Sequence, residues 1–330
     1  MAKIRIISDI HFDNKINGRD KDSSIEDSLF YDKYHAALRN EKADVTLIAG
    51  DLASCLDNYN DFLHTFFENE NCIFVGGNHD LYQRTDKTIY EIKDELKHAF
   101  PLEHTYWHYL DNDWIWIPNT KAEVAVIGST LYTDYAYNPF TVETYNKRQL
   151  QMHTFMSLYG LNPGEYVPVQ KLTKSLVKKE NKLIASEYLN DFRWGYEKQY
   201  KNITPDTYIK LNKLAKKRIT ECHDEILRIN PNAKIILLTH HCLSPKCIDE
   251  RYKDSILNAS YTSNDEKFVE KLSGIKLVVS GHVHCRKDFT FGKNHIKYII
   301  NACGYIPRGE DYRNENDFFN PNLILDTEEL

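Results

Sequence analysis

Short apolar runs recur along this chain, and most of them end in a small cluster of Gly, Asp, Asn or His. In the first hundred residues Lys3 to Ile7, Asp44 to Ala49 and Cys72 to Val75 have the length and β-branched content of strands. Between them lie segments of helical spacing. Ile25 to Arg39 aligns Ile25, Leu29, Tyr34 and Leu38, Tyr59 to Phe67 forms a second helix, and Thr85 to Phe100 aligns Ile89, Ile92, Leu96 and Phe100. This alternation predicts βαβ units with buried, largely parallel strands.

The pattern then changes. His104 to Leu110, Trp114 to Ile117 and Val124 to Ile127 read as aromatic-rich strands of a meander. Val142 to Arg228 is mostly helical and is interrupted by Pro163-Gly164 and Pro205. Strands return at Lys234 to Thr239, Lys276 to Ser280, Asp288 to Phe291 and His295 to Ile300, the last two flanking Gly292-Lys293-Asn294. The order predicts an α/β fold, a four-layer α-β-β-α sandwich of two mixed sheets packed face to face. It also predicts one domain over residues 1–330, with a helical, partly basic insertion at about 138–229.

At 330 residues and 42% hydrophobic content the chain can bury a sizeable core. No apolar run is long enough to span a bilayer, and the N-terminus lacks the apolar centre of a signal peptide. The seven cysteines contain no CxxC pair, so neither a disulfide framework nor a zinc-finger spacing is offered, and a cytoplasmic location is expected. Disorder is expected only near the termini and in the polar stretch Asn14 to Ser24. The net charge of −6 argues against wholesale nucleic-acid binding. Residues 171–220, however, hold 13 Lys and Arg against 5 Asp and Glu. That segment reads either as a solvated helical face or as a basic cap that draws in an anionic substrate.

Five fragments carry the chemistry: Asp9-Ile10-His11, Gly50-Asp51, Gly77-Asn78-His79-Asp80, His240-His241 and Gly281-His282-Val283-His284. Ligand sites in open α/β sheets lie beyond the carboxyl ends of strands, where these fragments fall. Asp9 and His11 alternate on extended backbone and suit Mn, Fe or Zn. Gly50 lets the backbone come close to an ion, and Asp51 can bridge two ions through its two oxygens. Asn78 offers a neutral oxygen. His79 stands near the ions and can donate to a phosphate oxygen or protonate a leaving group, with Asp80 orienting its ring. His240 closes an apolar strand, a position that a structural histidine could also take. His282 and His284 project to one side about 7 Å apart and can reach separate ions. The remaining histidines read as structural or surface residues. Cys242 and Cys285 lie beside ligand positions, as thiolate ligands or as small buried residues. Taken together, the fragments point to a two-metal hydrolase of phosphate esters.

The series D-x-H, GD, GNHD, H, GHxH resembles the calcineurin-like metallophosphoesterase superfamily from Asp9 to His284. The resemblance implies one metal ion on Asp9, His11, Asp51 and His284, and another on Asp51, Asn78, His240 and His282. It selects His240 over His241, because the first histidine of such a pair is the ligand in that family. It further implies in-line attack on phosphorus by a metal-bridging hydroxide, with His79 assisting the leaving group and Asp80 holding His79. The segment Gly50-Asp51-Leu52-Ala53-Ser54-Cys55 departs from the GDxxDRG of the protein serine/threonine phosphatases. Gly128 to Tyr132, Leu189 to Arg193, Tyr261-Thr262-Ser263 and Asn301 to Tyr305 resemble bacterial or phage metallophosphoesterases. In that resemblance Asn190-Asp191-Phe192 approaches the site from the insertion; an N-cap is the alternative.

The expected activity is a phosphodiesterase on a small or nucleotide-like substrate. The insertion would stack bases on Tyr188, Phe192, Trp194, Tyr196, Tyr200 and Tyr208 and hold phosphates with Lys and Arg. A DNA-repair-type nuclease, a phosphomonoesterase or protein phosphatase, and a non-catalytic metal-binding module are the alternatives. No membrane partner is expected, nucleic acid is possible but not favoured, and the oligomeric state stays open.

Overall fold

The computed structural model describes residues 2–13, 28–82, 87–198, 201–306 and 318–330. Asn14 to Ser24, and the expected helix starts at Ile25 and Thr85, lie outside them. The chain begins with alternating strands and helices: β1 (Lys3–Ile7), α1 (Leu29–Asn40), β2 (Val45–Ala49), α2 (Leu56–Phe67), β3 (Asn71–Val75), α3 (Ile89–Ala99) and β4 (Trp107–Leu110). A hairpin follows, β5 (Asp113–Trp116) and β6 (Val124–Ser129). Then come α4 (Val142–Leu158), α5 (Lys174–Tyr188), α6 (Asp191–Trp194), the small ribbon β7 (Tyr196–Lys198) and β8 (Lys201–Asn202), and α7 (Pro205–Ile229). The last strands are β9 (Lys234–Thr239), β10 (Ile275–Ser280), β11 (Arg286–Phe291), β12 (Ile296–Asn301) and β13 (Ile324–Asp326).

Local chemistry sets the helix starts. The Ser28 hydroxyl accepts the Tyr31 N–H at 3.0 Å, Thr88 and Glu91 close a capping box, and α7 opens on Thr204 with Pro205 in its first turn.

The first sheet has the order β13-β1-β2-β3-β4, with β1 to β4 parallel and β13 antiparallel at one edge. The second has the order β11-β12-β10-β9-β6-β5, parallel at its centre and antiparallel at both edges. Ile4, Ile6, Leu47 and Val75 of the first sheet interlock with Val126, Ile236, Leu238, Leu277 and Val279 of the second. Each such fully buried side chain is worth about 1.5–3 kcal/mol of transfer free energy. The outer face of the first sheet packs on Phe30, Phe62 and Phe66 of α1 and α2. Ala215, Ile219, Cys222 and Ile226 of α7 cover the outer face of the second. The result is the four-layer α-β-β-α sandwich of two mixed sheets. Helix α7, inside the expected insertion, is therefore one of the layer helices. Helices α4 and α5 meet over the smaller cluster of Phe140, Tyr145, Val177 and Ile184.

The meander is not formed. Strand β4 pairs parallel with β3 in the first sheet, whereas β5 and β6 make an antiparallel hairpin on the second. The chain changes sheet at Asn112, which takes φ 61° and donates its N–H to the Gly128 carbonyl at 2.9 Å. Short aromatic and apolar runs look alike on either sheet, so the pattern does not encode that crossing. Strand β13 is three residues long and gave no periodic signal.

Candidate metal centre

The loops that leave β1, β2, β3, β9 and β10 meet at one edge of the sandwich. They are laced together through the backbone. Asp9 N–H reaches Gly50 O at 3.0 Å, His11 N–H reaches Asp51 O at 2.9 Å, and Gly281 N–H reaches His240 O at 3.0 Å. Asp9, His11, Asp51 and His282 take φ values of 53°, 50°, 50° and 68°. Non-glycine residues in this left-handed region each cost of order 1–3 kcal/mol, and such strain concentrates at functional sites. A Cβ on Gly281 would lie 2.5 Å from Asp9 Oδ2 and 2.7 Å from the Ala49 carbonyl. At Gly50, with φ +83°, a Cβ would lie 2.5 Å from His240 Nδ1. The room that Gly50 leaves is thus taken by the His240 ring.

All seven metal-type residues gather here. His11 Nε2 and His284 Nε2 are 3.1 Å apart, and His284 Nε2 is 3.5 Å from Asp9 Oδ1. His240 Nε2 is 3.4 Å from Asp51 Oδ2 and 2.9 Å from Asn78 Oδ1. Asp51 Oδ2 also stands 4.0 Å from His11 Nε2, between the two sets. Among the described residues, three groups each bring one donor atom per residue within 4.8 Å of one another: Asp9, His11 and His284; Asp51, His240 and His282; and His11, Asp51 and His79.

The electrostatics fit cations at this point. Burial and the neighbouring imidazoles His79 and His284 keep His11 well below the usual histidine pKa, despite the Asp51 carboxylate. Burial, then His241 and His240, do the same to His282. Neutral imidazoles with inward lone pairs are the form that binds metal. His240 Nδ1 faces the Ala49 carbonyl at 2.9 Å, which fixes the tautomer and aims Nε2 at Asp51. Burial alone would depress the His240 pKa, but Asp51 and then Asp9 push it up to about 9. The Asp51 carboxylate thus favours positive charge at this ring.

His241 lies behind the site. Its ring packs 4.2 Å from that of His282, Nδ1 faces the Thr130 carbonyl at 3.4 Å, and burial with His240 lowers its pKa to about 3. Among the described residues, it is His240 and not His241 that groups with Asp51 and His282.

His79 and Asp80 sit on the one-turn helix after β3. The His79 ring lies 4.7 Å from His11 and 4.6 Å from Tyr82, with Nε2 3.3 Å from the Tyr305 hydroxyl. The Asp80 carboxylate accepts the backbone N–H of Asp51 at 2.9 Å, Ala53 at 3.0 Å and Gly77 at 2.5 Å. Asp80 thus clamps the two metal-type loops together, and it is Tyr305 that meets the His79 ring. The orientation of His79 by Asp80, expected from the sequence, is not what this geometry provides.

A family model for calcineurin-like phosphoesterases matches residues 2–286. The chain belongs to the calcineurin-like phosphoesterase family. It is a metal-dependent phosphoester hydrolase. No curated protein matches it in sequence. Among solved structures it is similar to the phosphopantetheinyl hydrolase PptH from Mycobacterium tuberculosis, with a TM-score of 0.53 and 14% identity over 92% of this chain and 89% of that one. That likeness is one of fold. No helix among the described residues is long and apolar enough to cross a membrane.

A cleft of about 470 Å³ opens over the donors. Its floor includes Asp51, Asn78, His79, His282 and His284, and its walls carry Tyr82, Tyr188, Tyr252, Tyr261 and Tyr305 with Arg251 at the side. The insertion contributes Tyr188, Leu189, Asn190 and Asp191 to this wall, and none of its Lys or Arg residues lines the cleft. Lys182 pairs with Asp206, Lys216 with Asp265 and Arg218 with Glu221. The basic segment is therefore a solvated face, only partly paired, that lies outside the cleft. Of the aromatic set expected to stack substrate, Tyr188 lines the cleft. Phe192 and Tyr208 are buried and pack on each other at 5.2 Å, Trp194 and Tyr196 lie elsewhere, and Tyr200 is outside the described residues. Tyr252, Arg251 and Asn258 gave no sequence signal, since their loop has neither periodicity nor a motif.

Proposed function

We propose that this enzyme is a dinuclear-metal phosphodiesterase acting on a small or nucleotide-like substrate. The observation that carries the reading is the meeting of two donor groups, Asp9, His11 and His284 and Asp51, His240 and His282, with Asp51 Oδ2 4.0 Å from His11 Nε2 between them, at the floor of an aromatic-walled cleft. Asp9, His11, Asp51 and His284 would hold one ion, and Asp51, Asn78, His240 and His282 the other. Mn, Fe and Zn all suit such donors. Bound there, the ions supply Lewis acidity, which activates water at neutral pH and offsets charge developing on phosphoryl oxygens.

The chain's own groups do the rest. His79, at the cleft side of the donors, can donate a proton to the leaving-group oxygen, and the Tyr305 hydroxyl at 3.3 Å steadies its Nε2. Asp80 keeps the Asp51 and Gly77 loops in register. The diester preference rests on charge and wall chemistry. Arg251 is the single Lys or Arg among the described cleft residues, and it is already paired with Asp249 at 2.8 Å. A second ester group would lie on tyrosine faces, whereas a dianionic monoester would find little further positive charge. The solved relative is named a phosphopantetheinyl hydrolase, which favours an organic phosphoester of metabolite size.

Residues 1–330 are read as one domain with a helical insertion at about 138–229, in the cytoplasm, where seven cysteines without disulfides are at ease. Parallel turnover of bis-p-nitrophenyl phosphate and p-nitrophenyl phosphate tests the diester preference. Higher kcat/KM on the diester is the expected result, and turnover of the monoester alone contradicts it.

A further inference from the structure

The insertion returns one carboxylate to the metal centre. Asp191, the first residue of α6, is buried, with 4% of its surface exposed. Its Oδ1 accepts the Asn78 Nδ2 amide at 3.1 Å and also the Tyr82 hydroxyl. Its Oδ2 accepts the Tyr208 hydroxyl from α7 at 3.0 Å. Tyr82 in turn accepts the same Asn78 amide at 2.9 Å. Both N–H bonds of the Asn78 amide are thereby engaged on the side away from the donors, and Asn78 Oδ1 faces His240 Nε2 at 2.9 Å.

An asparagine amide is nearly symmetric in shape but not in chemistry: one end accepts and the other donates. Only the oxygen can bind a cation. A carboxylate cannot donate, so Asp191 admits the NH2 end of Asn78 and rejects the oxygen end. We infer that Asp191 is a positioning residue that fixes which end of Asn78 the metal meets, and so couples the insertion to occupancy of the Asn78 site. This rests on the two-ion reading above. Asp191 lies 113 positions from Asn78 in sequence. Its oxygens are taken by the Asn78 amide and by the Tyr82 and Tyr208 hydroxyls, so its effect on the ion runs through Asn78.

The test is calorimetric titration of metal-stripped protein with Mn²⁺, with thermal melts of each metal-free form. Wild type should bind two ions. Asp191→Asn keeps the shape but presents an amide that tolerates either end of Asn78. Asp191→Asn and Asp191→Ala should each weaken one of the two ions about 10- to 100-fold, the usual effect of losing an outer partner of a metal ligand, and leave the other ion unchanged. Asn78→Ala should weaken the same ion. The double variant Asn78→Ala with Asp191→Asn should lose no more than Asn78→Ala alone, since the two act through one contact. Tyr208→Phe, which leaves the Asn78 contact in place, should alter neither constant.

Unchanged binding in a folded Asp191→Asn variant overturns the inference and leaves the two-ion reading intact. So do losses that add in the double variant, or that strike both ions in step with a falling melting temperature. Wild type that binds fewer than two ions overturns the two-ion reading itself, and the inference with it.

Discussion

His11 and His284, 273 positions apart in sequence, point Nε2 at Nε2 across 3.1 Å. One proton or one cation can sit between two such nitrogens, and the nearby Asp9 and Asp51 carboxylates favour a cation with more charge than a proton. Removing either ring should leave a single ion. His284→Ala and His11→Ala should each retain about one Mn²⁺ per chain where wild type holds two, as metal analysis of the purified proteins would read. Two ions in either variant would remove these rings from the donor set.

His79 is close to the donors but is read as the proton donor. His79→Ala should lower kcat by roughly 10²- to 10⁴-fold, the range for loss of a general acid, with metal content unchanged. The loss should be smaller on esters whose leaving group needs no proton. Comparison of p-nitrophenyl with alkyl diesters reads this, and equal losses on both would argue against the role.

Gly281 is a steric requirement. The 2.5 Å approach of a Cβ to Asp9 Oδ2 means that Gly281→Ala must move a carboxylate that also accepts the His282 N–H at 3.0 Å. The variant should fold with a lower melting temperature and bind the ion at Asp9, His11 and His284 less tightly. Wild-type binding would show that the loop gives way without consequence.

The charge on the insertion is outside the cleft. Replacing the exposed Lys174, Lys179, Lys210 and Lys213 by Gln should leave KM for a small diester unchanged, whereas Arg251→Ala should raise it. A large rise in KM in the lysine variant would restore the basic cap.

Most strands, and the gathering of Asp, Asn and His residues at their ends, were legible in the sequence for one reason. Runs such as Val45 to Ala49 and Leu277 to Ser280 are buried on both faces, so they read as unbroken apolar segments, and a ligand-type residue that follows one must lie at a sheet end. Sheet membership was not legible. The crossing at Asn112 is set by one turn residue and long-range pairing. The partner of Asp80 was misread because a carboxylate beside a histidine in sequence invites a pairing that the turn after β3 instead gives to three backbone N–H groups. Asp191 was marked only as approaching the site, because its contact to Asn78 joins segments that share no local pattern. The basic run 171–220 left two readings open, and the solvated helical face is the one that fits, because none of its Lys or Arg residues lines the cleft.

The most direct test of the account reloads metal-stripped protein with Mn²⁺ in measured steps and follows hydrolysis of bis-p-nitrophenyl phosphate, with Asp51→Asn as the companion. Turnover should rise to a plateau at two equivalents and be abolished in Asp51→Asn, which loses the carboxylate proposed to serve both ions. Full activity at one equivalent, or undiminished turnover in Asp51→Asn, would contradict it.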